Sequence, residues 1–333
     1  MKLLKPHSLS VLHWPFFTVV LLSAAVSQPM RAQNLAGDEA LSKVLIEGEE
    51  WQLVAEGLGF TDAACSDAEG NFYFSDLPKG SLYRVDASEG GRPPQVWMEK
   101  APKISGMKFG PEGRLYAATQ GTVGGPSNEK KKIIAIDPAS KQITDIATDV
   151  QPNDLIVSKA GWIYFTVTGP GEVQMVPTSS KDPSRPRVAA SGINRPNGIT
   201  LSPDQGTLAV SEYGGSNVWV FRIGRDGSLS AGERYMTLRL PVGKFDSGGD
   251  GMTTDSEGRY YVTSHVGIQM FDSTGRMGGI ITRPQNKGTV SAAFAGRDLA
   301  YLYVCSSDRI YRRKTRAKGV LFFPSPGSAI PPK

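Results

Sequence analysis

Hydrophobic and polar residues alternate with a period of two along most of this chain, in short runs separated by turns, which is the pattern of half-buried β-strands. One phrase recurs: an acidic or polar turn, a glycine, then an alternating aromatic and apolar strand. Its copies lie at 66–74, 110–116, 158–165, 202–210 and 255–262, with a degenerate sixth at 295–304. The aligned glycines of the first five, at 70, 113, 161, 206 and 258, are 43, 48, 45 and 52 residues apart. Each copy predicts a β-hairpin, because an Asp/Glu/Ser-x-Gly turn supplies a positive φ and β-branched or aromatic residues suit the strand that follows. A further alternating strand follows each hairpin, at 82–86, 133–137, 173–176, 218–221, 268–272 and 309–312. Six repeats of roughly 40–50 residues predict an all-β fold, a six-bladed β-propeller with four-stranded antiparallel blades.

The propeller is expected over 51–323. Trp51-Gln52-Leu53-Val54 fits an outer strand that completes the last blade and removes an exposed sheet edge, and Val320-Leu321-Phe322-Phe323 fits the same place. Residues 33–50 read as an N-terminal linker with a short helix inside 38–48. The interval 122–132 reads as an exposed loop, and the Pro-rich tail 324–333 as disordered.

The first 32 residues change the charge and histidine counts. Lys2 and Lys5 precede the apolar run Trp14–Val26, and small residues follow, the order of a secretory signal peptide. The run is shorter than the ~20 residues that span a bilayer, so export with cleavage is expected, to a periplasmic or extracellular location, with no membrane attachment afterwards. Cleavage after Ala32 removes Lys2, Lys5 and Arg31 and takes the formal charge from +5 to +2, which gives no basis for nucleic-acid binding. The basic cluster Arg312-Arg313-Lys314-Thr315-Arg316-Ala317-Lys318 reads as a solvated strand face. Cleavage also removes His7 and His13 and leaves His265 as the single imidazole, so a Ser-His-Asp hydrolase would rest on it alone. The stretch Phe245-Asp246-Ser247-Gly248-Gly249 imitates a serine nucleophile loop, but a Gly-rich loop before Asp250 accounts for it.

In a propeller the innermost strands line the channel, so the residues just before each hairpin converge on one axis. Those positions hold Asp62, Ser105-Gly106, Asn153-Asp154, Asn197-Gly198, Asp250-Gly251 and Ser291. Asp62, Asn153, Asn197 and Asp250 form an oxygen-only set, which is calcium-type chemistry. The alternative is that Asn-Gly and Asp-Gly are simple turn dipeptides.

The segments Pro152-Asn153-Asp154-Leu155, Arg195-Pro196-Asn197-Gly198-Ile199 through Pro203-Asp204, and Asp250-Gly251-Met252 through Gly258 resemble the gluconolactonase/senescence-marker-protein (regucalcin) family over about residues 50–318. The resemblance implies one catalytic divalent cation in the channel, usually calcium, with zinc, magnesium or manganese as other candidates. It makes Asn197 and Asp250 metal ligands, and Asn153 a ligand or a substrate-contacting amide. Asp62 stands where the family carries Glu in Glu-Gly-Pro, one methylene shorter, and Thr166-Val167-Thr168-Gly169 stands where many relatives carry Asp-Pro.

The implied function is metal-dependent hydrolysis of a small-molecule sugar lactone. Asp250 is the expected general base, and Asn153, Asp154 and His265 the expected substrate contacts. The rivals are a non-catalytic exported binding module and a phosphotriesterase-like hydrolase on the same site; an oligomeric state is not specified by these residues. Cys65 and Cys305 fall in blades that ring closure makes neighbours. They are expected as reduced, buried thiols, because facing strands of adjacent sheets lie ~10 Å apart.

Overall fold

The computed structural model describes residues 33–36, 38–88, 92–179, 183 and 185–323. The signal peptide expected at 1–32 and the disordered tail expected at 324–333 lie outside them. Among the described residues no helix is long and apolar enough to cross a membrane.

The turns build the hairpins as the repeat implies. In the first blade Asp67 accepts from the amides of Glu69 and Asn71, from the Asn71 side chain and from the Tyr73 hydroxyl, while Gly70 takes φ +83°. Asp255 does the same work in the fifth blade with Glu257, Arg259 and Tyr261, beside Gly258 at φ +80°. A carboxylate that pins both the turn and the following strand explains why acid, glycine and tyrosine recur at a fixed spacing.

The strands form six four-stranded antiparallel sheets, a six-bladed β-propeller. The innermost strands, in blade order, are Thr61–Ser66, Ile104–Phe109, Leu155–Val157, Pro196–Leu201, Met252–Thr254 and Ser291–Ala295. Gln52–Ala55 pairs with Arg309–Lys314 and completes the sixth blade, so the N-terminal strand closes the ring. Val320–Phe323 forms no strand; it lies against a cavity of about 70 Å³ at the far end of the inner strands, with Ser66, Phe109 and Thr254. The core sits between the blades. Phe72 of blade 1 stacks on Tyr303 of blade 6 at 4.4 Å, among buried Ala64, Phe74 and Cys305.

Two sequence expectations are corrected. The short helix expected inside 38–48 is present at Glu39–Ser42, but the described part of the linker is packed: Leu41 is buried, and Leu45 bridges to Thr315. The basic cluster is solvated only in part: Lys314 is half-buried and Arg316 and Lys318 are exposed, but its first two arginines are not. Arg312 is buried over the Tyr301 ring and donates to Gln52, and Arg313 is buried outright, because the N-terminal segment covers this strand. Cys65 and Cys305 are free and buried, and burial pushes the Cys65 thiol up to about 12.

Candidate active site in the channel

Asp62, Asn153, Asn197 and Asp250 all stand where an inner strand begins, at the same end of the propeller. Two of these strands are bulged there: register shifts lie between Asp62 and Cys65, with Ala63 at φ +57°, and between Pro196 and Ile199. A bulge re-aims the side chains on either side of it. The Asn-Gly and Asp-Gly pairs are not turns. Asn197-Gly198 lies inside a strand, and a Cβ at Gly198 would sit 2.2 Å from the Asp250 carbonyl oxygen. A Cβ at Gly106 would sit 2.4 Å from Asp154 Oδ1. These glycines let neighbouring inner strands approach closely at the axis.

A belt of donors fixes the backbone of this tier, each reaching from one blade to the next. Thr166 Oγ1 donates to the Asn197 carbonyl at 2.7 Å, Ser211 Oγ to the Asp250 carbonyl at 2.8 Å, and Thr263 Oγ1 to the Val290 carbonyl at 2.8 Å. Ser75 Oγ donates to the Ile104 carbonyl at 2.7 Å, and the Cys305 thiol reaches the Asp62 carbonyl at 3.6 Å. In the second blade the matching position is Ala118. There Ser105 Oγ donates to the Asn153 carbonyl at 2.6 Å, itself held by Gln120. Sequence reading missed these residues. The signal was available: Ser75, Thr166, Ser211 and Thr263 each follow their hairpin glycine by five positions.

The electrostatics of the tier are set by three carboxylates. Asp62 and Asp250 are half-buried, whereas Asp154 is buried. Burial pushes Asp250 up to about 8, with the charge of Asp154 adding and the Gly251 amide pulling back. Asp62 is held well above the usual carboxylate range, by burial first and then by Asp250 and Asp154. Asp154 is buried and raised by that burial, against the pull of Lys108 and of the Leu155 and Ile199 amides. Like charges in one dry site resist joint ionisation. Asp154 therefore belongs to the carboxylate tier, rather than only orienting substrate as its sequence neighbourhood suggested.

This donor set suits a hard cation. Every side chain in it offers oxygen, and a divalent ion would relieve the mutual repulsion. Among the described residues no three His, Cys, Asp or Glu side chains gather into a metal-holding group, so the amides Asn153 and Asn197 would have to share the ligation with the carboxylates.

His265 stands on the rim at the end of blade 5's second strand. Its Nε2 lies 3.0 Å from Asp246 Oδ1, its ring meets the Tyr213 ring edge-on at 5.8 Å, and Gly248, at φ +58°, packs against it. Arg195 stacks over the other part of Tyr213 at 4.8 Å. Burial and the charge of Asp250 raise the Tyr213 hydroxyl, which places that ring beside the carboxylate tier. Ser247 is no nucleophile. It is buried, its hydroxyl donates to the Gly215 carbonyl at 2.8 Å, and the imidazole pairs with Asp246 instead.

Residues 60–308 match the family described as the SMP-30/Gluconolactonase/LRE-like region. A gluconolactonase of Zymomonas mobilis is 24% identical over 302 residues, which cover 80% of this chain and 82% of the relative. Among solved structures, a gluconolactonase of Xanthomonas campestris superposes with a TM-score of 0.68 at 21% identity, over 86% of this chain and 94% of that one. A calcium-binding protein of Agrobacterium tumefaciens, regucalcin, does so with a TM-score of 0.65 at 16% identity, over 83% of this chain and 97% of that one.

Proposed function

Because the chain belongs to the SMP-30/gluconolactonase/LRE-like family, we propose that it is an exported hydrolase that opens a sugar-type lactone with the aid of a divalent cation at its channel mouth. The observation that carries this reading is the tier of Asp62, Asp154 and Asp250, all raised above the ordinary carboxylate range by burial, with Asp154 adding to Asp250 and both adding to Asp62, at the strand starts that also carry Asn153 and Asn197. Carboxylates shifted by burial and by a specific charged neighbour cluster at functional sites. Asp62, Asn153, Asn197 and Asp250 would hold the ion, and calcium is the first to test, since the regucalcin relative is a calcium-binding protein. When bound, it would supply Lewis-acid polarisation of the ester carbonyl.

The chain's own residues supply the rest. Asp250 takes a proton from the water that attacks the ring carbonyl. The acyl carbon–oxygen bond then breaks, the ring oxygen leaves as an alkoxide and is protonated, and a hydroxy acid is released. Asn153 and Asp154 lie on the tier where sugar hydroxyls would be met, and His265 with Tyr213 forms the wall beside it. The belt hydroxyls hold the carbonyls of Asn153, Asn197 and Asp250, so the side chains that follow them need little reorganisation.

The test is turnover of a sugar-lactone panel by metal-stripped protein, with and without added calcium, magnesium, manganese or zinc. Hydrolysis lost on stripping and restored by a divalent ion is the expected result. Undiminished hydrolysis by stripped protein would overturn the metal role. Hydrolysis of a phosphotriester but of no lactone would overturn the substrate class.

A further inference from the structure

Lys108 is a basic residue inside the channel, and nothing in the proposed reaction uses it. It lies on the second blade's inner strand, two residues after Gly106, so its side chain leaves the strand on the face that meets Asp154. It is half-buried, and its Nζ crosses to the first blade and donates to the Ala64 carbonyl at 2.7 Å. Ala64 is two residues from Asp62. The ammonium is thus held between blades 1 and 3, below the carboxylate tier and above the apolar floor formed by Phe109, Ile156 and Phe322. Its charge acts on both Asp62 and Asp154.

We propose that Lys108 is the channel's fixed counter-cation and the residue that sets the site's preference for a divalent ion. With Asp62, Asp154 and Asp250 ionised, the tier carries three negative charges, and Lys108 reduces this to two. A divalent cation cancels that charge, whereas a trivalent one overshoots it. In the metal-free chain the same ammonium compensates the charge of the buried Asp154, so the inner strands can pack before any ion arrives. The tether to the Ala64 carbonyl keeps the charge in place. This inference rests on the ion site of the proposed function, but part of it concerns the metal-free chain alone.

The experiment compares the wild type with Lys108→Met, which keeps the apolar stem and removes the charge. Calorimetric titration of stripped protein with calcium and, separately, with terbium is expected to show tighter binding of both in the variant. The gain should be on the order of tenfold or more and larger for terbium, since each added ionic charge meets the same missing repulsion. Equal affinities in two folded proteins would overturn the proposal. Absence of any ion binding by the wild type would instead remove the ion site. The counter-cation is then read from metal-free thermal unfolding: Lys108→Met should melt lower, and the added change Asp154→Asn should restore the melting point. A loss that Asp154→Asn leaves unrepaired would assign Lys108 a packing role and overturn the proposal in that arm too.

Discussion

Asp62 and Asp67 stand at opposite ends of one inner strand, and Asp250 and Asp255 at opposite ends of another, five residues apart in each case. The lower members are saturated. Asp67 and Asp255 each take backbone amides, a tyrosine hydroxyl and a neighbouring side chain on their oxygens. The upper members face other carboxylates: Asp62 accepts from the amide of Ala63, and at Asp250 the nearby Gly251 amide, which itself donates to the Val290 carbonyl, offsets only part of the effect of burial and of Asp154. Burial alone therefore does not separate the turn-holding acids from those of the proposed site. Partners do. An acid with every lone pair occupied holds a turn, and one left facing its own kind is held at a cost that an ion or a substrate can recover.

The largest effect that this contrast implies is on activity. Asp250→Asn should lower lactone turnover by about 10²- to 10⁴-fold, the usual worth of a general base, while the melting temperature of metal-free protein stays level or rises. Unchanged turnover would place the base elsewhere on the tier. Asp255→Ala should show the reverse pattern. Unfolding experiments should find a loss of roughly 3 kcal/mol, because Arg259 and Tyr261 lose their buried partner, with turnover per folded molecule unaffected. A stability loss of the same size in Asp250→Asn would erase the distinction between the two ends.

The pH dependence gives a third, smaller test. In the unfolded chain Asp250 ionises near the ordinary carboxylate value, whereas the folded metal-free chain keeps its proton up to about 8. The folded state thus binds more protons between those values, and the stability of stripped protein should fall as pH rises through that window. Denaturant midpoints measured from pH 4 to 8 would show it, and an added divalent ion should flatten the slope while releasing protons. The smallest effect belongs to the belt. Ser211→Ala should cost about 1 kcal/mol and reduce the turnover number several-fold, and Ser211→Thr should restore both.

How these features could be read from the sequence depended on the range of the interaction that makes each one. Hairpins were legible because their cause is local: Asp67, Gly70 and Tyr73 lie within one turn and strand. The closing strand was legible as one of two candidates, and pairing of Gln52 with Arg312 decided between them. The positions of Asp62, Asn153, Asn197 and Asp250 followed from the repeat, since equivalent places in a ring converge. What stayed hidden was set by neighbours far along the chain. Lys108 reads as the polar side of an alternating strand, and only the approach of Ala64 from the first blade makes it a channel cation. Asp154 reads as the companion of Asn153 until Gly106 is seen packed against it. Arg313 reads as solvated until residues 44–50 are laid over its strand.

Calorimetric titration of stripped wild-type and Asp250→Asn protein with calcium tests the carboxylate tier most directly. One equivalent bound by the wild type, with a raised melting temperature, and no binding by the variant is the expected result. Failure of calcium, magnesium, manganese and zinc alike to bind the wild type, or equal binding by the variant, would contradict an ion site built on Asp250.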